Sequence, residues 1–495
     1  MHVYTADMDS LISSILLLMF TCIVIQVLRS FFKKENYKLP PGPSLLTILG
    51  NLHEFWEKPP QTMANLANIY GPIMCFKVGY STSVIISSPD MAKEVLKTHD
   101  LLFSDRSIPQ VITSLNHDRL SLPFLPVSPL WRDLRKICNN QLFSSKTLDA
   151  SQDLRRKKLQ QLLNDVHKIS LSGEGVDVGI AAFKTCINFL SYTFVSEDFV
   201  QYVSKDDEYK DLVATILKLV GTPNLVDIFP MLKIFDPQHL QRSTTSYFSK
   251  FFLILDSLIN KRIMLREGKH YVSNNDMLDT LLNISQEDSQ MMDKTKIRHF
   301  FLDLLVAGTD TTAYALERAM TELLHNPEIM IKAKMELEQT IGIGNPIQES
   351  DIAKLPYLQA IIKETLRMYP PAPLLLPRKA KVDVQIFGYT IPKGARVLIN
   401  EWAIGRNPIF WNNANSFSPE RFIGSTIDVK GQSFQFTPFG SGRRMCPASP
   451  LAIRMLLSML GSLINTFDWK LENDMNPNDM DLDQPLRAIP IKINN

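Results

Sequence analysis

Apolar residues recur at helical spacing along most of the chain, and runs that alternate between apolar and polar residues are short and few. The helical spacing predicts helices over 130–144, 154–171, 209–220, 238–267, 294–326, 356–368 and 451–463. Pro89 starts a further predicted helix that runs to about Thr98, and Asn326-Pro327 ends the longest one. Alternation predicts short strands at 73–78, at 83–87 and within 384–399. We therefore expect a mainly α fold with a small β-sheet.

A long apolar run lies near the start of the chain. Leu11 to Leu28 is a stretch of 18 residues with four polar interruptions, close to the roughly 20 residues that cross a bilayer as a helix. Asp7 and Asp9 precede the run and basic residues follow it, which places the C-terminal bulk on the cytoplasmic side. A cleavable signal peptide is the alternative, but the basic start and small-residue cleavage site that it needs are missing. We predict a membrane anchor at 1–30, a basic, proline-rich hinge at 31–45 and one domain at 46–495.

Composition narrows the possible functions. The apolar content of 45% and the charged content of 21% are ordinary for a globular core. The net charge is 53 − 51 = +2, which gives no support for a nucleic acid partner. The five cysteines are odd in number and scattered, so they indicate a reducing compartment rather than a disulfide framework.

A glycine-rich loop, FGSGRRMC at 439–446, delivers a cysteine to the start of the predicted helix 451–463. Gly440 and Gly442 allow positive φ and a close approach of the backbone to a flat group. Backbone N–H groups near the helix start, together with two arginines, favour a thiolate at Cys446. A thiolate beneath a planar cofactor is the proximal ligand of one haem class. The alternative is a buried free cysteine in a turn.

The longest predicted helix, 294–326, carries a glycine near its middle. Gly308 costs about 1 kcal/mol relative to alanine there, so it needs a reason. Its missing side chain would let a flat cofactor and a diatomic ligand approach, and Thr311 could bond a preceding carbonyl and open the helix locally. Asp310 and Thr311 then form an acid–alcohol pair that can relay protons inward. The alternative is a packing notch in a threonine-rich stretch.

Two pairs of polar side chains fall on single helix faces. Trp131 and Arg135 are i,i+4 neighbours, and Glu364 and Arg367 are i,i+3 neighbours. The first pair offers donors to a cofactor with carboxylate arms, or it is a partly buried tryptophan beside a solvated arginine. The second pair, if buried, loses several kcal/mol when one member is removed, whereas a surface pair is worth under about 1 kcal/mol.

The stretch 107–129 has no clean period and contains several prolines, so we predict a long loop there. Loops of that length inside a compact domain are usually functional. The apolar residues of this stretch, which include Ile112 and Phe124, suit an oily ligand.

Five further motifs accompany the cysteine loop. They are PPGP at 40–43, Trp131-x-x-x-Arg135, AGTDTT at 307–312, Glu364-x-x-Arg367 and PERF at 419–422. In order and spacing, these motifs and Phe439-x-x-Gly442-x-Arg444-x-Cys446 resemble the cytochrome P450 monooxygenases over the whole chain. A closer resemblance, to the plant terpenoid-oxidising group that includes geraniol hydroxylase and ferruginol synthase, rests on FLPVSPLW at 124–131, LLPRK at 375–379 and WAIGR at 402–406.

The resemblance implies the cytochrome P450 fold, preceded by one N-terminal transmembrane helix. It implies a single-pass protein of the endoplasmic reticulum membrane with a cytoplasmic catalytic domain. Haem b would be the cofactor, and NADPH–cytochrome P450 reductase would pass on the electrons of NADPH, because the sequence shows no nucleotide-binding glycine fingerprint. O₂, membrane lipid and an apolar small molecule would be the other partners. The expected activity is hydroxylation of a small apolar plant metabolite, by resemblance a terpenoid such as a monoterpene alcohol or a diterpene.

The resemblance also implies roles for individual residues. Asp310 and Thr311 would be catalytic, and Cys446 would be the iron ligand. The cofactor-binding residues would be Trp131, Arg135, Arg378, Phe439, Arg444 and Cys446. Glu364, Arg367 and Arg421 would form a buried structural cluster. The substrate pocket would be lined by Ile112, Phe124, Phe301, Leu304, Ala307, Leu374 and Leu375. A basic face of Arg132, Lys136, Lys430 and Arg443 would suit an acidic reductase.

Two departures from the family pattern keep other functions open. Position 448 is alanine where the family usually has glycine, which costs on the order of 1 kcal/mol if the turn requires φ > 0. Between Asp481 and Pro485 the chain is shorter than in the resembled group, where this stretch lines the pocket. One alternative is therefore a catalytically silent haem protein that acts as a membrane scaffold. The other is an O₂-independent haem-thiolate isomerase or dehydratase, against which the intact Asp310-Thr311 pair argues.

Overall fold

The computed structural model describes residues 38–50, 52–197, 206–268, 270–274, 276–345, 347–472, 477 and 484–493. The predicted anchor at 1–30 and residues 31–37 of the predicted hinge lie outside the described residues. The same is true of 481–483 in the shortened C-terminal stretch.

Helices make up most of the described chain. The first nine are α1 (Leu45–Gly50), α2 (Leu52–Glu57), α3 (Pro59–Tyr70), α4 (Pro89–Lys93), α5 (Pro129–Ile137), α6 (Ser145–Ala150), α7 (Gln152–Ser172), α8 (Val178–Val195) and α9 (Asp206–Gly221). They are followed by α10 (Leu225–Ile228), α11 (Leu240–Arg266), α12 (Met277–Glu287), α13 (Lys294–His325), α14 (Pro327–Thr340), α15 (Pro356–Met368), α16 (Glu401–Ile404) and α17 (Ser449–Thr466).

The strands form three small sheets. They are β1 (Ile73–Val78), β2 (Ser81–Ile86), β3 (Asp105–Arg106), β4 (Val176–Asp177), β5 (Arg378–Lys379), β6 (Val384–Ile386), β7 (Tyr389–Ile391), β8 (Arg396–Ile399), β9 (Phe467–Leu471) and β10 (Arg487–Lys492). The largest sheet has the order β1-β2-β8-β5-β3, in which only β2 and β8 run parallel. The other two have the orders β4-β10-β9 and β6-β7.

Helix α13 forms the centre of the helical core. It packs against α8, α17, α11 and α15. Its buried face extends over about six turns. Fully buried side chains along it include Phe300, Leu305, Leu316 and Leu323. The predicted mainly α fold with a small sheet is therefore confirmed for the described part of the chain.

Most helices lie where the apolar spacing predicts them. Helices α7, α9, α11, α13, α15 and α17 match their predicted ranges to within about three residues, and the hairpin β1–β2 is also confirmed. The helix from Pro89 continues to Thr98 as a π-turn. The helix predicted at 130–144 ends earlier, because Cys138–Leu142 forms a π-turn after α5.

Helix α8 is the main element that the spacing did not predict. It is apolar on nearly every side, so it shows no helical period, and most of its side chains are buried. Among the described residues it is the one helix long and apolar enough to cross a membrane. Because it packs against α13 and α7, it is a core helix.

The predicted loop at 107–129 is more ordered than expected. Gln110–Arg119 forms 3₁₀ turns, and Leu115 and Asn116 take left-handed φ values of 53° and 59° at a kink in their middle. The turns pack against α11. Tertiary contacts, rather than a periodic sequence, order this segment.

Candidate functional site

The cysteine loop is folded by its own backbone. The Cys446 N–H donates to the Phe439 carbonyl at 2.9 Å, and the Gly440 N–H donates to the Thr437 carbonyl at 2.7 Å. Gly440 and Gly442 have φ values of 72° and 68°, as their sequence positions suggested. A Cβ on Gly442 would lie 2.1 Å from the Leu96 carbonyl oxygen, so this glycine is also required by close packing.

Position 448 does not carry the strain expected from the sequence. Ala448 has φ −90° and ψ 6°, a conformation open to any residue, so the left-handed cost does not apply. It stands directly before α17, where its N–H faces the cysteine sulfur. This departure from the family pattern therefore leaves the loop intact.

The environment of Cys446 acts on its thiol in two directions. Burial raises the pKa of Cys446, whereas backbone N–H groups of Ala448 and Ser449 and the Arg135 guanidinium act to lower it. Arg135, on α5, also donates to the Met445 carbonyl at 2.7 Å. Cys446 is half-buried and its sulfur has donors directed at it, as a thiolate ligand requires.

Four arginines converge near the loop. Arg444 stacks on Trp131, with 4.7 Å between guanidinium and ring centre, and it donates to the Ser104 carbonyl at 2.8 Å. Arg378 donates to the carbonyls of Phe103 and Ser441. The remaining members are Arg135 and Arg106, and no sequence motif pointed to Arg106.

These arginines have no carboxylate ion-pair partner among the described residues. Arg106, Arg378 and Arg444 are each at most 8% exposed. Burial, with a smaller contribution from a neighbouring arginine in each case, lowers the pKa of Arg378 and of Arg444 to about 10. Buried cations without counter-charges are costly, so this cluster suits a ligand that brings carboxylates. Two carboxylate arms beside a cysteine are what haem b supplies, and the residues fit that group.

An exposed strip interrupts the buried surface of α13. Ala307 and Asp310 are exposed, and Gly308 and Thr311 are half-buried, although the turns on both sides are in the core. Thr311 Oγ1 donates to the Ala307 carbonyl at 2.7 Å, the i−4 bond expected from the sequence. Partial desolvation by the surrounding protein raises the pKa of the Asp310 carboxyl above its usual value. We call the opening in front of this strip, at 307–311, the cleft; the strip offers it an acid and an alcohol.

Gly308 also lies close to a side chain of a neighbouring helix. A Cβ at this position would lie 2.9 Å from Leu190 Cδ1 on α8, which is tighter than real contacts allow. The missing side chain therefore makes room for a neighbouring helix. The approach of a cofactor and a diatomic ligand at Gly308 stays a prediction.

The predicted cluster of Glu364, Arg367 and Arg421 forms. Arg367 makes two 2.7 Å bonds to the Glu364 carboxylate, and Arg421 Nε donates to it at 2.9 Å. Glu364 and Arg367 are almost completely buried. Arg367 also donates to the carbonyls of Gly405 and Ala414. The cluster joins α15 to the segment 405–421, which precedes the cysteine loop in the chain.

The residues predicted to line the pocket do not form one surface. Ile112 and Phe124 share a small core cluster with Val111 and Leu240. Leu304 is also buried.

The other predicted pocket residues also lie in different parts of the fold. Leu375 lies beside the cysteine loop, within 3.9 Å of a Cβ built on Gly440, and Leu374 packs against a core cluster of β1 and β2. Phe301 is fully buried and stacks on Phe194 at 5.8 Å, so it belongs to the core rather than to the exposed strip.

The predicted basic face is partly neutralised. Arg443 pairs with Asp100 at 2.8 Å, and Lys430 pairs with Asp428 at 3.4 Å. Arg132 is exposed on α5. Lys136, one turn further along α5, is exposed as well.

Comparison with known proteins places the chain in a family. The cytochrome P450 family model matches residues 40–494. Geraniol 8-hydroxylase from Catharanthus roseus is 46% identical over 93% of this chain and 95% of that protein. Drimenol monooxygenase from Persicaria hydropiper is 44% identical over 96% of this chain and 97% of that protein.

A solved structure shows the same fold. A zebrafish cytochrome P450 with abiraterone superposes with a TM-score of 0.72 at 23% identity, covering 88% of this chain and 99% of that one. The sequence motifs, the fold and the family match agree. The chain therefore belongs to the cytochrome P450 family of haem b monooxygenases.

Proposed function

We propose that this protein hydroxylates a small apolar terpenoid, using O₂ and electrons from NADPH that arrive through NADPH–cytochrome P450 reductase. The observation that carries the proposal is the group of buried arginines beside the Cys446 loop. Among the described residues they donate to main-chain carbonyls and form no ion pair with a carboxylate. Such a group is a receptor for the two propionates of haem.

The cofactor would be held from several elements. Cys446 would bind the iron, and Arg378, Arg444, Arg106 and Arg135 would meet the propionates. Trp131 would support Arg444 through its stacked ring. Phe439, whose carbonyl accepts from the Cys446 N–H, would hold the loop. Haem bound in this way would supply the activation of O₂ and the insertion of one of its oxygen atoms into a C–H bond.

The chain's own residues prepare that chemistry. The N–H groups of Ala448 and Ser449 stabilise negative charge on the Cys446 sulfur. Asp310 holds a proton more readily than an ordinary carboxyl, because the surrounding protein raises its pKa. To relay a proton, Thr311 would accept one from Asp310 on its oxygen and release its own hydroxyl hydrogen, which breaks the hydrogen bond to the Ala307 carbonyl. The pair can therefore pass protons into the cleft, which suits an O₂-dependent reaction better than an isomerisation.

The substrate class is drawn from the relatives and from the apolar side chains near the cleft. The two plant relatives named above act, by their names, on geraniol and on drimenol. Leu375 beside the cysteine loop and Ala307 on the strip offer apolar surface, which favours a terpenoid such as a monoterpene alcohol. Ile112, Phe124 and Leu304 are the other apolar residues that we propose for the pocket.

The location and the electron source follow from sequence features. We propose an anchor at 1–30, a hinge at 31–45 and one catalytic domain at 46–495, held at the cytoplasmic face of the endoplasmic reticulum. The exposed Arg132 and Lys136 would receive an acidic surface of the reductase.

The proposal is tested in membranes that contain the full chain and the reductase. With geraniol, NADPH and ¹⁸O₂, we expect a product that carries one labelled oxygen, and no product from Cys446→Ala or without NADPH. Drimenol is the second substrate to try. A product without label, or conversion that does not need NADPH, would support the isomerase alternative. Full haem content without turnover of any terpenoid would support the scaffold alternative.

A further inference from the structure

A buried group of polar side chains joins the segment 110–125 to helix α13. Its members are His117, Ser121, His299 and Asp303, and none of them is more than 8% exposed. The mechanism above uses none of the four. A carboxylate in a core needs several hydrogen-bond donors, and those of Asp303 come from the segment 110–125.

Asp303 receives its contacts from one short stretch of chain. Ser121 Oγ donates to Asp303 Oδ1 at 2.8 Å, and the Leu122 N–H donates to Oδ2 at 2.9 Å. His117 Nε2 lies 3.1 Å from Oδ1. The carboxylate is therefore satisfied by a segment about 180 residues away in sequence.

The histidines close the group from the other side. Nδ1 of His117 and Nδ1 of His299 are 2.8 Å apart, and the two rings stack at 5.1 Å. Phe248 packs edge-on against His117, and Phe252 packs edge-on against His299. Burial and the neighbouring cations lower the pKa of His299 to about 3, so its ring is neutral near pH 7. Among the described residues, no group of three or more His, Cys, Asp or Glu side chains is arranged to hold a metal ion.

The same segment also contacts the arginine cluster. Arg444 donates to the carbonyls of Leu122 and Leu125, and Arg106 Nε donates to the Pro123 carbonyl at 3.2 Å. Leu122 is therefore held by Asp303 at its N–H and by Arg444 at its carbonyl. The main chain of 121–125 therefore connects Asp303 on α13 to the arginine cluster.

Asp303 is placed where this connection matters for a substrate. It lies one helical turn before Ala307, which begins the exposed strip of α13. The segment that it binds carries Ile112 and Phe124, two residues predicted to contact the substrate. A change at Asp303 would therefore move apolar side chains relative to the strip without altering the strip itself.

We propose that Asp303 is a positioning residue that fixes the segment 110–125 over the cleft and so determines which apolar substrates fit and which carbon is presented. The substrate part of this inference rests on the proposed function, whereas the positioning part does not.

The test compares the wild-type holoprotein with Asp303→Asn. Asparagine keeps the shape but presents an NH₂ group to at least one of the three donors. We expect hydrogen–deuterium exchange at 118–125 to become at least about tenfold faster, with the reduced carbon monoxide spectrum unchanged. We also expect a roughly tenfold weaker Kd for geraniol, read from the substrate-induced change in haem absorption. KM should rise while kcat changes less than about threefold, and the product distribution should broaden.

Asp279→Asn is the matched control. Asp279 is also buried and accepts from a hydroxyl, Ser273 Oγ at 2.9 Å, and from a backbone N–H, that of Asn274 at 2.8 Å. It should speed exchange in its own loop at 271–274 and leave geraniol binding unchanged. If Asp303→Asn does not fold, Ser121→Ala removes one contact and should give the same changes, about threefold in size.

The outcomes separate the two proposals. Unchanged exchange at 118–125 in Asp303→Asn, or in Ser121→Ala if that variant has to be used, would overturn the inference. Faster exchange with unaltered KM and product distribution would overturn its specificity part. If the wild-type protein turns over no terpenoid, the proposed function fails, and the exchange comparison still decides whether Asp303 positions the segment.

Discussion

Two regions of this molecule are built in different ways. The cysteine region comprises the loop 439–446 and the Glu364 cluster. There, the loop is folded by bonds within itself, and the cluster by two arginines on one carboxylate. The cleft region comprises the exposed strip of α13 and the segment 110–125. It is held by contacts between residues far apart in sequence, such as Asp303 with Leu122 and Gly308 with Leu190. Short-range bonds, such as Cys446 to Phe439 and Arg367 to Glu364, make part of the first region readable from motifs. Arg421 reaches Glu364 from 57 residues away, and the contacts named for the second region are all of this long-range kind.

The difference also separates what is fixed from what can vary. In the cysteine region, a change in one side chain disturbs charges that are buried and paired. In the cleft region, a change disturbs packing or a hydrogen bond and alters the shape of the pocket. We therefore expect large losses of stability from the first region and changes in selectivity from the second.

The largest effect is expected from Arg367→Ala. It removes two bonds from a buried carboxylate that Arg421 alone cannot satisfy, so the free energy of unfolding should fall by about 3–5 kcal/mol. The measurement is the loss of haem absorption with increasing urea. Arg487→Ala breaks an exposed pair with Glu472 and should cost far less. Equal losses in the two variants would show that the Glu364 cluster behaves like a surface pair.

A smaller effect is expected from Gly308→Val. The new side chain would press on Leu190, and overpacking of this kind costs about 1–3 kcal/mol. Leu190→Ala should relieve it, so the double variant should be less destabilised than the sum of the single ones in the same urea experiment. Additive losses would mean that Gly308 is not there to make room for α8.

The smallest effect is expected from Ala448→Gly. With φ at −90°, glycine relieves no strain and only adds freedom to the unfolded chain, so stability should drop by about 1 kcal/mol or less. Haem content should stay unchanged. A gain in stability would indicate that the turn does require a left-handed residue, as the family pattern suggested.

The sequence predicted the fold class, the hairpin, most long helices and the cluster of Glu364, Arg367 and Arg421. It did so because apolar period and local motifs encode these features. It did not predict α8, whose apolar residues face every direction, or Arg106, which stands alone in the sequence. Asp303 could have been noticed as a carboxylate inside an apolar run, but its partners His117, Ser121 and Leu122 only become visible in three dimensions. Phe301 lies in the core because its neighbour Phe194 comes from α8, the helix that was missed.

The central claim is that Cys446 is the thiolate ligand of a haem. The most direct test is the carbon monoxide difference spectrum of the reduced, membrane-expressed protein. We predict a strongly red-shifted Soret band that is lost in Cys446→Ala and kept in Cys138→Ala, since Cys138 is a buried thiol whose pKa is raised to about 12. An unshifted band in the wild-type protein, or a red-shifted band that survives in Cys446→Ala, would contradict the claim.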